Sequence, residues 1–435
     1  MSDFDVLVRG PERDLGISEG KFVALGPDLT GSAKREIDAR ALAVFPGVID
    51  AHVHFNEPGR TEWEGFDTGS RAAAAGGTTT VFEMPLNAHP PTTHRESFEL
   101  KRAAAESSSQ VDFGLWGGLV PGNLSDLELL RDCGVVGLKA FMCNSGISDF
   151  AHVDIPTLRG GMKRAAELDL LVAVHAESEE ITSALTGAAR AADRNGIRDY
   201  LNSRPIAAEL EAIRCAIDLA AETSCRLHIV HVSCGAGVAL VAKARAKGID
   251  VSCETCPHYL LLTEEDMERL GAVAKCAPPL RSADEQVGLR GRLGDITTIG
   301  SDHSPSPPEM KQRENFFDVW GGISGCQHLL PLLLDAGISV AEIRRLTSGH
   351  VGSRFRVSAK GAIALGKDAD FTLVDLNATN VITPESLHYR HKQSPYIGRT
   401  LRSRVRRTFL RGQTIFEDGK FAARPMGRLV RPDLS

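Results

Sequence analysis

The sequence predicts an α/β protein, a (β/α)8 TIM barrel carrying a small composite β-sandwich formed by the N- and C-terminal segments. Three observations predict it. From about residue 47 to 353, short β-rich runs alternate with Ala- and Leu-rich helical stretches. Eight such runs can be counted, the number that closes this kind of barrel. The two ends of the chain instead show short strands and turns without a long helical period. A length of 435 residues suits a large barrel with a smaller second unit. The expected bounds are 1–46 for the first part of the sandwich, 47–354 for the barrel and 355–435 for the second part.

In chain order, FDVLVRG, KFVALG and DARALAVFPG read as the opening strands. The eight runs are GVIDAH (47–52), TTTVFEM (78–84), VDFGLW (111–116), VVGLKAF (135–141), LLVAVHA (170–176), RLHIVHV (226–232), IDVSCE (249–254) and ITTIGSD (296–302). Good helix formers lie between many of them, among them GSRAAAAGG, RESFELKRAAAES and ELEAIRCAIDLAAE. A doubly wound sheet is the competing architecture, and it would show G-x-G-x-x-G after its first strand if it bound a dinucleotide. Here HVHFNEPGR follows instead. The closing segments GAIALGKDADFTLVDL and RVRRTFLRGQTIFEDGKF resemble the opening ones and pair with them in one sandwich.

Composition narrows the function. The chain is 42% hydrophobic and 24% charged, with a formal net charge of −6. An acidic balance argues against a general nucleic-acid partner. The local basic run RTLRSRVRRTFLR (399–411) is then an exposed strand face or a subunit contact. No apolar run reaches the ~18–20 residues of a membrane helix, so no membrane partner is expected. The start MSDFDVLVRG lacks a basic n-region and an apolar h-region, which makes the cytoplasm the expected location. The nine cysteines are scattered. Cys253 and Cys256 form a C-x-x-C without a second pair, and read as ordinary buried thiols rather than a zinc or redox site.

The strongest local feature is Asp50-Ala-His52-Val-His54. Residues two apart on a strand point to the same side, so both imidazoles face one space at the end of the first barrel strand. That end is where barrels of this kind do chemistry, and paired neutral imidazoles suit a divalent transition metal. His175 closes run five, His231 lies late in run six and Asp302 ends run eight. Lys139 sits among apolar residues in run four. A buried lysine is costly unless neutral or paired. Either it meets a carboxylate, or its neutral amine takes up CO2 to give a carbamate (N6-carboxylysine) that bridges two metals. His228, three residues before His231, should face the outer helices. His303 points away from Asp302, in a supporting role, and His258 has no spacing argument. Four neutral histidines, a carbamate, Asp302 and a hydroxide would leave two divalent ions with residual positive charge, enough to polarise a carbonyl and acidify water. Asp302 also suits proton transfer to a leaving nitrogen.

These residues resemble the cyclic-amidohydrolase branch (dihydroorotases, hydantoinases and allantoinases) of the metal-dependent amidohydrolase superfamily. The likeness runs nearly end to end, through PGVIDAHVHF (46–55), GLKAF (137–141), VHAE (174–177), HVS (231–233), CAPPLR (276–281), GSDHSP (300–305) and KGAIALGKDADFTLVD (360–375). It implies His52, His54, carboxylated Lys139, His175, His231 and Asp302 as ligands of a binuclear centre, with zinc the expected metal, and a homotetramer. Within the branch, NEPGRTEWEGF (56–66) and EMPLN (83–87) are most similar to the allantoinases. Dihydroorotases carry an Arg where this chain has Asn56, and a substrate carboxylate without a guanidinium would bind poorly. A neutral cyclic ureide suits an amide better, although Arg60 and Arg281 remain candidate guanidinium partners. Hydantoinases place a Tyr where this chain has Asn144, which either donates to an oxyanion or caps a turn. Asn56, Arg60, Asn144 and Ser304 are the candidate substrate contacts. The resemblance implies hydrolysis of allantoin to allantoate in purine catabolism, with a dihydroorotase or hydantoinase activity as the alternative and a non-catalytic assembly protein as the reading from another class.

Overall fold

The computed structural model describes residues 2–433. A strand forms at each of the eight runs, the first and seventh extending one residue past theirs: Val48–Val53, Thr78–Glu83, Asp112–Leu115, Leu138–Phe141, Leu171–His175, Arg226–Ile229, Val251–Thr255 and Thr298–Ile299. Neighbours pair in parallel from the first to the third and from the fourth to the eighth. Gly117–Gly118, continuing the third run, pairs with the fourth strand. A parallel bridge between Val53 and His303 joins the eighth run to the first, and the Ser301 amide donates to Asp50 Oδ1 at 2.9 Å across the same seam.

Helices follow the strands because their sequences bury one stripe. In the longest, Ile206–Thr223, the buried residues Ala208, Ala212, Ile213, Ala216, Ile217 and Ala220 recur at helical spacing. Asp154 starts Ile155–Glu167 by accepting the Thr157 amide at 2.8 Å. Inside the barrel, Ile49, Ala51, Phe82, Trp116, Ala173, Val230 and Phe355 form a buried cluster. The Trp116 indole donates to the Ala51 carbonyl at 3.1 Å, so the largest interior ring is hydrogen-bonded as well as packed.

The sandwich is composite. One sheet orders the N-terminal strands Lys21–Gly26, Asp14–Ser18, Phe4–Arg9 and Ala33–Asp38. In the other, the N-terminal Ala43–Pro46 pairs with Phe371–Asp375, which pairs with Arg404–Leu410. The Phe371 and Phe409 rings stack at 4.3 Å in a core shared with Val6, Ile17 and Val44. Four arginines of the basic run face carboxylates: Arg399 meets Asp335, Arg406 meets Asp375, Arg407 meets Glu417 and Arg411 meets Asp112.

Sandwich and barrel are joined by a buried ammonium. Lys360 Nζ lies 2.5 Å from Asp112, 2.6 Å from Asp370 and 2.9 Å from Asp368. These three carboxylates approach closely enough to suggest a cation site, but the lysine already supplies the cation. Asp112 begins the third barrel strand and also takes the Arg428 amide at 2.8 Å, binding the C-terminal tail to the same point. Removing one partner of a buried network leaves the others uncompensated, so Lys360→Met should destabilise the fold by about 3–5 kcal/mol, measured as a lowered urea midpoint, with the folded fraction still active.

Candidate metal centre

The C-terminal ends of the barrel strands bring together the side chains that the sequence singles out. His52 Nε2 lies 3.2 Å and His54 Nε2 3.6 Å from Asp302 Oδ1. His175 Nδ1 and His231 Nε2 lie 3.0 Å apart. The two groups adjoin, with the His52 and His231 ring centroids 5.4 Å apart. Lys139 Nζ is fully buried, has no hydrogen-bond partner, and sits 4.9 Å from the Phe141 ring centroid. It therefore does not meet the carboxylate that would make it a structural ion pair. Burial pushes its amine down to about 8, although Asp302 and Glu254 oppose this. Burial likewise pushes His52 down to about 3 and His54 to about 4, which keeps both rings neutral. Burial works against an ionised Asp302, but His52 and His54 hold its carboxyl below the usual range.

Three of the four rings are aimed by a contact on the other nitrogen, whereas His231 Nδ1 has no hydrogen-bond partner. Glu254 Oε1 lies 2.7 Å from His52 Nδ1, and the Asn87 amide lies 3.3 Å from His54 Nδ1. Glu177 Oε2 lies 2.7 Å from His175 Nε2. The two carboxylates, as acceptors, select the tautomer that leaves the site-facing nitrogen of His52 and His175 unprotonated, and all three contacts fix a ring plane. The sequence reading did not assign these three residues a role. Glu177 and Asn87 lie within VHAE and MPLN, and Glu254 lies between the cysteines of the C-x-x-C, both of which are free buried thiols. Cys143, His175 and Glu177 also lie within ligand distance of one another. Arg204 already fills that space, 3.1 Å from Glu177 and 3.5 Å from the Cys143 sulfur, so the group is a support for His175.

Backbone geometry makes this convergence possible. His231 and Asp302 adopt left-handed conformations, φ 41° and 46°, just beyond the ends of their strands. Non-glycine residues held there carry strain of order 1 kcal/mol or more, a feature that clusters at functional sites. Gly300 has no room for a side chain: a Cβ would stand 2.7 Å from Glu254 Oε2 and 3.1 Å from the His52 Cβ.

Two expectations need correction. His228 does not face the outer helices. It is in register with Ala173, which is in register with Lys139, and its ring packs against Phe355 with Ser252 Oγ at 2.7 Å from Nδ1. Counting back from His231 misleads because the strand ends at Ile229 and the chain turns at His231. Of the proposed substrate contacts, Asn144 and Ser304 line the cavity of about 450 Å3 that opens on the histidines, whereas Asn56 and Arg60 do not. Asn56 is buried and donates to the Pro305 carbonyl at 3.3 Å. Arg60 is held by the Asn87 carbonyl at 2.8 Å and by Asp149. Asn144 Oδ1 accepts the Gly146 amide at 2.9 Å, the turn-capping alternative. Arg281 pairs with Glu209 at 3.0 Å and is likewise absent from the cavity wall, to which Arg204 and Arg313 contribute instead. His303 accepts the Gly325 amide at 3.1 Å and packs on Tyr389, away from the cavity. His258 is buried against Tyr259, and neither ring nitrogen has a hydrogen-bond partner.

The amidohydrolase family matches residues 43–415. An allantoinase from Rubrobacter xylanophilus is 56% identical, over 99% of this chain and 98% of that protein. One from Deinococcus radiodurans is 49% identical, over 98% of this chain and 99% of its own. Among solved structures, an L-hydantoinase (dihydropyrimidinase) from Arthrobacter aurescens aligns with a TM-score of 0.95 at 34% identity, covering 98% of this chain and 100% of the other. The family implies a divalent metal centre, and His52, His54 and Asp302 can hold such an ion. Releasing His52 from its outer partner by Glu254→Gln should weaken metal retention by about 10–100-fold, measured as metal content after equilibration against graded chelator.

Proposed function

This chain belongs to the amidohydrolase family, and we propose that it is a hydrolase of cyclic amides that opens the ring of allantoin to give allantoate. The observation that carries the reaction type is the meeting of four neutral imidazoles and one carboxylate around a buried amine without a partner. End-to-end similarity to allantoinases supports the substrate. A cavity of about 450 Å3 has the scale of a small-molecule site.

The residues fit a pair of divalent ions. His52, His54 and Asp302 would hold one and His175 and His231 the other, with Lys139 serving both after carboxylation of Nζ by CO2. That reaction replaces an orphaned buried amine with an anion bearing two oxygen donors. Imidazole and oxygen donors suit zinc, the expected metal. When bound, such ions supply electrostatic polarisation of a carbonyl and a lowered pKa for water.

The chain's own groups do the rest. Asp302, close to both His52 and His54, takes the proton of the attacking water and returns it to the ring nitrogen as the C–N bond breaks. Glu254, Asn87 and Glu177 keep the His52, His54 and His175 rings from turning as charge develops. Ser304 and Asn144 line the cavity, which supports them as contacts for the polar edge of a cyclic ureide. The close structural likeness to a hydantoinase favours hydantoin as the second substrate to try.

Parallel assays with allantoin, hydantoin and dihydroorotate should show a preference for allantoin; a preference for either of the others would overturn the assignment. Asp302→Asn should lower turnover by about 10²–10⁴-fold. Lys139→Ala should lose bound metal together with activity, and the intact folded wild-type protein should carry one added CO2 by native mass spectrometry. Stripping the metal should abolish turnover. Light scattering checks the expected homotetramer.

A further inference from the structure

We propose that Lys275 and Lys311 are positioning residues, a pair of buried ammonium groups that hold the segment after the eighth barrel strand as one wall of the cavity and so set substrate affinity. The inference rests on the reading that this cavity receives the cyclic amide.

Residues 304–322 contribute Ser304, Met310, Phe317, Val319 and Trp320 to the cavity wall. Apart from an isolated bridge at Ile323, regular structure in this stretch is limited to the short 3-10 turns Pro308–Lys311 and Phe316–Asp318. Backbone ladders therefore do little to fix its shape. The two lysines supply what the ladders do not. Lys275 Nζ donates to the carbonyls of Phe316 at 2.6 Å, Phe317 at 3.2 Å and Val319 at 2.6 Å. Lys311 Nζ donates to those of Trp320 at 2.8 Å, Gly322 at 2.8 Å and Ala272 at 3.1 Å. Lys275 reaches into the segment from outside, while Lys311 ties the segment's own Trp320 and Gly322 carbonyls together and links them to Ala272 outside it. The Gly322 amide completes the clamp by donating to the Lys275 carbonyl at 2.8 Å.

Valence explains the choice of residue. An ammonium has three donors and no acceptor, and each of these meets three carbonyls. Burial pushes both amines down to about 7; the carbonyl dipoles oppose that, because a neutral amine would leave one carbonyl of each set unserved. The Tyr200 ring, 4.5 Å from Lys275 Nζ, adds a cation–π contact. Among the described residues, neither lysine forms an ion pair with a carboxylate within salt-bridge distance. Burying two ammonium ions in this way is a poor route to bulk stability compared with apolar packing. It is a good route to one fixed conformation of an irregular segment. At the outer edge, Trp320 meets Trp63 edge to face at 4.8 Å.

The test uses Lys311→Met and Lys275→Met in the full-length, metal-loaded enzyme, assayed on whichever cyclic amide the wild type opens. The expected result is a KM raised roughly tenfold with kcat within about threefold, unchanged metal content, and faster protease cleavage mapped to residues 305–322. Unchanged KM and cleavage would overturn the proposal. So would a joint fall in kcat and metal content, which would place the lysines in support of the metal ligands. Loss of folded protein in both variants would also overturn it, by making them supports of the barrel. If the wild type opens none of the cyclic amides, the functional reading fails on its own, and cleavage alone decides the clamp.

Discussion

A neutral imidazole has one lone pair to offer, and the chemistry at this site depends on which nitrogen carries it. Four such rings converge here, and a ring turned the wrong way would present a proton to a cation. Glu254 fixes the choice for His52 and Glu177 for His175, each at 2.7 Å. Both carboxylates are buried, so each demands a donor as strongly as the ring requires an acceptor. Glu177 is in turn held by Arg204, and Arg281 donates through Nη1 to the Arg204 carbonyl while pairing with Glu209. The order of the site thus extends outward through charges that satisfy one another before they reach solvent.

The barrel separates two tasks at its two ends. At the ligand end, His231 and Asp302 occupy left-handed backbone, and Gly300 leaves a gap for Glu254 and His52. These features cost stability. At the opposite end, Lys360 gathers Asp112, Asp368 and Asp370. Parallel strands make this division natural, since their ligand-bearing ends all lie on one side.

Period-two alternation made much of this legible. It placed His52 and His54 on one face, while His175 and Asp302 were read from their recurrence at the ends of β-rich runs. The rule failed where the strand stopped early: Ile229 ends the sixth strand, so His228 faces Lys139's side of the sheet while His231 reaches the site from a turn. Glu254 was hidden because nothing in VSCET marks which nitrogen of a distant histidine it will meet. Asn56 misled in the opposite direction, since its place beside H-x-H in sequence did not bring it to the cavity wall. Residues 304–322 carry no periodicity at all. Their order comes from two lysines whose partners are backbone carbonyls, and carbonyls leave no trace in a sequence pattern.

Two kinds of relative match this chain. An allantoinase matches it at 56% identity and a hydantoinase at 34% identity with a TM-score of 0.95, and allantoin and hydantoin are both small cyclic ureides. Discrimination between such rings must then come from walls that the metal ligands do not build. In this chain those walls come from Asn144 and Gly146 after the fourth strand, Tyr200 and Arg204 after the fifth, and the segment running from Ser304 to Gly322. Arg204 has its charge largely answered by Glu177 before it meets the cavity, which favours a neutral substrate over an anionic one near that wall. A pocket with a fixed reactive floor and separately held walls lets one reaction serve several ring substituents. It also makes the shape of an irregular segment, rather than the identity of a ligand, the property that distinguishes one member from another.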